Sequence, residues 1–443
     1  MGINKYILVL VPFLVFSNSD LLLEDFDDTH GSLSLETKQD SSKFFSFDKF
    51  FKRKKPKDDY HIALLLPFCS ESNEYILNID LDSLIEINQN LDYLEVYKRS
   101  RISIDFYLGF LLSLDKISND NVKISLFDIK EGDASIDILD TIIDKDYLND
   151  VDLIIGPLYP SNFKYFSSNF SLDIPILSPF SKKEFIVKNN RNVIQVQSNM
   201  FDRFSLYGEY IFLNHQNDNI LLVRRDTIFE TSYPINDEKN KIIIDTIIPD
   251  DIMYTHYLLN DIDSSLVSFR EIQVNANVID SIHHELDTLG MRNVIIIPSE
   301  DNVFVTDLLS KLHASRDTSM IVYGLPALSK FDHVSLFHLM DMNLTFFHNQ
   351  FDLDSLSSEF LINFHNTYDY VPVYKYSSVG YEVGLYFLSL LFENGAVLPY
   401  IKFQNPERIL NSLYDFQRVQ DGGYRNQGFS IFRYSDFKHK QIF

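Results

Sequence analysis

Apolar residues along this chain follow two rhythms that take turns. His61-Ile-Ala-Leu-Leu-Leu-Pro-Phe68, Asp152-Leu-Ile-Ile155 and Ile174-Pro-Ile-Leu-Ser178 are short continuous apolar runs. Runs of that kind mark strands covered on both faces, as in a parallel sheet. Between them the apolar positions step by three or four. Tyr107, Leu111, Leu114 and Ile117 share one helical face, as do Ile136, Leu139, Ile142 and Ile143, then Phe163, Phe166 and Phe170. Lys123 to Ile129 supplies a further strand. Strand and helix alternate, which predicts an α/β fold built on a doubly wound parallel sheet.

The alternation stops and starts again. Val193-Ile-Gln-Val-Gln197 reads as a crossing strand, and Asn199 opens a helix running to about Leu213. A second unit begins with Asn219 to Arg225, with strands expected at Lys241 to Ile248 and Phe269 to Val274. It continues with a helix over Val278 to Leu289, a strand over Asn293 to Pro298, a helix over Val303 to Ala314 and a strand over Met320 to Tyr323. Ser161, Asp133 and Asp301 stand where helix caps belong. Helices are expected at Ser355 to Tyr368 and Ser378 to Glu393, the second carrying Gly380 and Gly384 at a spacing that lets a helix approach closely. Gly422-Gly423 and the alternation over Phe429 to Tyr434 predict a closing hairpin. Two Rossmann-like lobes follow, 60–197 with 345–410 and 198–344 with 411–443, and a cleft is expected between them.

The first residues read differently. Lys5 precedes an apolar core of eleven residues, Tyr6 to Phe16, and Ser17-Asn18-Ser19 offers a cleavage site. This is an export signal over 1–19, with an uncleaved membrane tether as the alternative. Residues 20–58 form a linker rich in Asp and Ser, ending in the basic run Lys52 to Lys57.

Charge and chemistry narrow the function. The net charge of −24 opposes nucleic acid as a partner. Cys69 is the only cysteine, so neither an internal disulfide nor a cysteine zinc site can form. His283-His284-Glu285 lacks the spacing that sets two metal ligands on one helix face. The aspartates from Asp144 to Asp152 lack the glycine and terminal glutamate of a calcium loop. No phosphate loop, dinucleotide fingerprint or serine nucleophile elbow occurs. A non-enzymatic protein with no cofactor and no metal is expected. Ligands of open α/β sheets sit beyond the carboxyl ends of the strands, which singles out Tyr159, Ser161, Ser178 and Ser181.

HIALLLPF (61–68), DFYLGFLLSLD (105–115), VDLIIGPLYPSNF (151–163) and IPILSPFSKK (174–183) resemble, in order, stretches of the type I periplasmic binding proteins, the branched-chain amino-acid receptors. NVIIIPSEDNVFVTDLLSKL (293–312), VYGLPAL (322–328), SSVGYEVGLYFLSLL (377–391) and GGYRNQGFSIFRYSDF (422–437) extend the likeness. It is greatest to the Bacteroidota branch of amino-acid ABC-transporter substrate-binding and LysM-containing proteins. No LysM module is present, and an insertion over 70–100 departs from the pattern. The resemblance implies two lobes closing on a ligand, with a serine after the third or fourth strand holding an amino acid's carboxylate. It also implies ligand contacts from the second lobe at Arg225, Asp226, Ser299, Glu300 and Tyr323. The expected protein is an exported, periplasmic solute receptor for an amino acid or short peptide, with a membrane permease as partner. The alternative is an envelope protein of the same fold that regulates or scaffolds peptidoglycan synthesis.

Overall fold

The computed structural model describes residues 57, 59–74, 96–117, 122–225, 229–234, 242–247, 250–260, 262, 268–274, 279–315, 319–330, 334–348, 354–398 and 400–443. The expected export signal, nearly all of the linker, most of the 70–100 insertion and Asp226 lie outside these residues.

The chain divides into two compact units. The first holds residues up to Gln197, Glu359–Gln404 and Gln417–Arg425; the second holds Ser198–Ser358, Asn405–Phe416 and Asn426–Phe443. The return to the first unit thus comes at Glu359, not at 345, because Thr345–His348 is bonded into the second sheet. The tail expected wholly in the second lobe also lends 417–425 to the first.

In the first unit β1 (Tyr60–Leu66), β2 (Val122–Asp128), β3 (Leu153–Ile155), β4 (Ile176–Ser178) and β5 (Val193–Gln195) alternate with α1 (Ser100–Ile117), α2 (Ala134–Asp144) and α3 (Pro160–Asn169). All seven residues of β1 are buried, as a continuous apolar run in a central strand requires. Adjacent pairs run parallel: β1 lies between β2 and β3, and β4 joins β3 to β5. Val193 to Gln195 is therefore a member of this sheet, and the unit boundary follows at Gln197.

The second unit carries α4 (Met200–Asn214), β6 (Asn219–Arg225), the paired β7 (Phe229–Pro234) and β8 (Ile242–Ile247), α5 (Asp250–Leu259) and β9 (Arg270–Val274). Then come β10 (Asn293–Ile296), α6 (Asn302–Ala314), β11 (Met320–Gly324), α7 (Leu336–Asp341) and β12 (Thr345–His348). Asn199 and Asp301 cap α4 and α6, accepting from the Asp202 and Phe304 N–H groups at 2.7 and 2.8 Å. Asp133 and Ser161 do not cap: the first has helical dihedrals, and the second sits inside α3 behind Pro160. Residues 279–289 do not form the expected α-helix. A 3₁₀ turn covers Ile279–Glu285, and Asp287 then gathers the N–H groups of Leu289, Gly290 and Met291 on one carboxylate oxygen. An aspartate offering that turn competes with helix continuation.

The chain then runs through α8 (Ser355–Tyr368) and α9 (Tyr374–Asn394). A short pair, β13 (Glu407–Arg408) and β14 (Leu413–Tyr414), precedes β15 (Phe416–Arg418), β16 (Tyr424–Asn426), β17 (Ser430–Ser435) and β18 (Lys438–Gln441). The single closing hairpin expected over 422–434 is two. Gly422-Gly423 turns between β15 and β16 at the edge of the first sheet, while β17 pairs antiparallel with β12 and β18 in the second. Each sheet has seven strands, ordered β15-β16-β5-β4-β3-β1-β2 and β18-β17-β12-β11-β10-β6-β9.

Candidate functional site

The carboxyl ends of β1 to β4 form one polar edge of the first unit. Beyond β1, Cys69 holds a left-handed φ of 50°. The Asp128 carboxylate ties the loop down, accepting from the N–H groups of Cys69, Ser70 and Lys130 at 3.1, 2.9 and 3.0 Å. Burial, then the Asp128 and Glu131 charges, push the Cys69 thiol up to about 12, which leaves it a poor nucleophile. Beside it, Tyr97 and Arg99 donate to the two oxygens of Glu131 at 2.7 and 2.6 Å, which holds that carboxyl below its usual range.

Beyond β3 the chain turns at Gly156, φ 95°, followed by a cis bond to Pro157. Tyr159 precedes α3 and leaves the helix without a side-chain cap. Tyr159 is half-buried, and its hydroxyl is pushed up by burial and by the nearby Glu131 and Cys69. Ser161 is exposed, its Oγ only at the outer limit of a hydrogen bond to Asn162, 3.5 Å. Ser178, the last residue of β4, is fully buried and its Oγ has no hydrogen-bond partner among the described residues. Ser181 is buried and accepts from the Lys183 N–H at 3.2 Å. Gln195 fastens the same loop from below, donating to the Ser181 carbonyl at 2.8 Å while accepting from Arg425 at 2.8 Å. Phe180 packs edge-on against Phe106 and Tyr376.

In the second unit Arg225 and Ser299 converge on Asp251, and Asp301 joins them through Arg225. Arg225 donates Nε and Nη2 to the two Asp251 oxygens at 3.0 and 2.7 Å and Nη1 to Asp301 at 2.8 Å. The Ser299 hydroxyl donates to Asp251 at 2.9 Å, and Asp251 is fully buried. Arg225 is thus committed to two carboxylates. Glu300, which accepts from Tyr254 at 3.2 Å, adds a further negative charge at this edge. A ligand ammonium suits such a set better than a carboxylate. Tyr323 lies apart from this group: its side chain is buried and its hydroxyl bonds His215 Nε2 at 2.7 Å, with His215 Nδ1 on Asp218 at 2.6 Å.

The sequence reading missed Asp251, Tyr97, Arg99 and Glu131. Asp251 follows Asp250 in the first turn of α5, where acids are ordinary. Nothing in spacing marks it as the centre of the cluster. Tyr97 and Arg99 close an insertion without apolar rhythm.

At the opposite end of the first sheet, His61 bonds the Ser125 hydroxyl through Nε2 at 2.8 Å, and its Nδ1 lies 3.3 Å from Asp150. The order Ser, His, Asp is that of a hydrolase, but Ser125 sits within β2 rather than on a turn that presents it. Burial and then Lys123 lower the His61 pKa. The fold therefore holds the neutral ring, so its contribution is complete above the unfolded value, about 6.5, and is lost as pH falls through the lowered folded value. The thermal midpoint is expected to drop as pH falls below about 6.5, and by less in His61→Gln; equal drops in differential scanning fluorimetry would contradict this.

No described group of histidines, cysteines and acids could hold a metal ion. No described helix is long and apolar enough to cross a membrane. No family model matches the chain, and no curated protein is detectably similar. Among solved structures, one similar in fold is a putative branched-chain amino acid ABC transporter protein from Rhodospirillum rubrum, at 10% identity and a TM-score of 0.51. That match covers 87% of this chain and all of the other. An ABC transporter substrate-binding protein from Desulfitobacterium hafniense, in complex with Leu, matches at 12% identity and 0.42, again over 87% of this chain and all of the other. Full-length LpoA from Haemophilus influenzae matches at 10% and 0.49, over 88% of this chain and 60% of its own.

Proposed function

We propose, from the type I periplasmic-binding fold that this chain adopts, that it is an exported, non-enzymatic receptor for a small polar solute. The solute class is an amino acid or short peptide, taken at the carboxyl ends of the strands, with closure of the units on it and a membrane permease as the recipient. The observation that carries this reading is Ser178. A fully buried hydroxyl without a partner is costly, about 1–3 kcal/mol. It stands at the end of β4, next in the sheet to β3, whose end leads into the uncapped start of α3. Helix amino ends attract carboxylates. Tyr159 and Ser161 belong to this proposed site, and Ser178 and Ser181 line its base.

A second reading has its own observation. Phe180, wedged against Phe106 and Tyr376, fills part of the same edge with side chain rather than space. That suits an envelope protein acting on a peptidoglycan-synthesis partner with no solute at all.

Thermal-shift measurement with amino acids, short peptides and muropeptides separates the two. At about 100 times its dissociation constant a ligand adds roughly 2.7 kcal/mol. That raises the midpoint by about 5–10 °C at roughly 2–4 °C per kcal/mol. A rise with one amino acid or peptide, lost in Tyr159→Phe with Ser178→Ala, supports the receptor. A rise with muropeptides alone, or none with any compound, defeats it.

A further inference from the structure

The first unit has a second polar site, at the end of its sheet away from the proposed solute edge. A cavity of about 560 Å³ opens among the segments that lead into three neighbouring strands. Ser171 and Asp173 precede β4, Asn189 and Arg191 precede β5, and Arg418 and Asp421 flank the turn before β16. These are the amino ends of β4, β5 and β16, with Arg418 the last residue of β15, so no solute at the carboxyl ends of β1 to β4 could share the site. The volume is in the range of small-molecule sites, roughly 300–1,000 Å³. Its chemistry is not: every lining side chain is polar, and the remaining residue is Gly422.

The walls are fastened before any ligand arrives. Asn190 donates to the Ser167 carbonyl at 2.5 Å and accepts from the Asn192 N–H at 3.0 Å, while Asn192 donates to Leu172. The Asn189 N–H reaches across to the Asp421 carbonyl at 3.0 Å, and Lys188 bridges Gly422. Other groups stay available. The guanidinium of Arg418, the Asn189 amide, the Ser171 hydroxyl and the Asp421 carboxylate make no hydrogen bond or ion pair among the described residues. Arg191 and Asp173 meet at 3.4 Å with side chains more than 70% exposed, a pair that a ligand displaces cheaply.

We propose that this cavity binds a neutral, polyhydroxylated ligand, a saccharide unit. Two arginines face two aspartates, so the lining carries no net charge. An anion would meet Asp173 and Asp421, and a cation would meet both guanidiniums. A sugar hydroxyl both donates and accepts, and can bridge a carboxylate to a guanidinium or an amide. The absence of an apolar or aromatic lining keeps the affinity weak, in the range of about 1 mM.

The test is saturation-transfer NMR on the full chain with maltose and with the N-acetylglucosamine disaccharide, titrated to about 10 mM. Signal from either sugar is expected, weakened at least tenfold in dissociation constant by Arg418→Ala with Asn189→Gly. Both are surface changes, and glycine suits the Asn189 φ of 60°. Tyr159→Phe, at the opposite edge, should leave sugar binding unchanged, so the saccharide site and the proposed solute site fail separately. No sugar signal, sugar binding indifferent to the double variant, or response to citrate alone overturns the proposal.

Discussion

Arg225→Met is expected to destabilise the second unit by about 3–5 kcal/mol, the cost of leaving a buried carboxylate without its counter-charge. Asp251 is fully buried and takes two bonds from the Arg225 side chain, one from its N–H and one from Ser299. Methionine matches the length of the arginine stem but supplies no donor. Asp251 is left with the Ser299 hydroxyl and the Arg225-position N–H, at 3.3 Å, and must bind a proton or draw in water. Asp301 loses its ion pair too, though its capping bond to Phe304 survives. Chemical denaturation followed by far-UV circular dichroism reads the loss, since the chain has no tryptophan to report it. The double variant Arg225→Met, Asp251→Leu should recover most of it, because removing both charges removes the penalty. If the single variant unfolds at the wild-type denaturant concentration, the cluster is not structural, and Arg225 returns as a ligand-binding residue.

This cluster also shows where reading the sequence reached its limit. The strand Asn219 to Arg225 was legible from its apolar run, and so was the place of Arg225 at its end. What Arg225 does there was not, because its partners come from residues 251 and 301, at the starts of two helices far along the chain. Tyr323 makes the same point. Its position at the end of β11 is a matter of alternation along the chain, whereas its direction, toward His215 and away from the strand ends, depends on what packs over the sheet. The long α/β alternation, by contrast, is a local signal repeated many times, and it gave the two sheets. Where local signals were short or competed, boundaries shifted. Asp287 stopped a helix that apolar spacing had extended to Leu289, and Pro160 took the helix start from Ser161. The hairpin at Gly422 and the strand at Ser430 were both visible, but that they belong to different sheets is a matter of long-range pairing.

Gly109→Ala is expected to cost the first unit about 3 kcal/mol, at or beyond the upper end for overpacking a core. α1 and α9 cross at Gly109, Gly380 and Gly384, and the approach is close enough that a methyl group at Gly109 would fall inside the Ser377 carbonyl oxygen. That oxygen is backbone in α9, so it cannot rotate aside; the helices must separate. Separation strips packing from Phe106, Phe110, Val379, Val383 and Phe387, all buried at 4% exposure or less. It also pulls on Asp105, which ties α1 to the start of α9 by accepting from the Tyr370 hydroxyl at 2.8 Å and the Val373 N–H at 2.9 Å. Gly384→Ala is the internal control. Its methyl group would meet the Ser113 hydroxyl, which can change rotamer at the loss of one bond to the Phe110 carbonyl, 2.6 Å, and the Ser113 Cβ at 2.8 Å, which can yield only by a helix shift smaller than the one Gly109→Ala forces. That loss is about 1 kcal/mol. Hydrogen exchange in β1 and β3, the buried centre of this unit, should therefore quicken far more in Gly109→Ala than in Gly384→Ala. The reverse order would mean that the two helices are not in the contact described. The loop carrying Phe180 rests on the same pair, through Phe106 on α1 and Tyr376 on α9. A helix separation that reaches Phe180 would weaken solute binding at the proposed edge as well as stability. Gly384→Ala, which moves the helices less, should weaken binding less than Gly109→Ala.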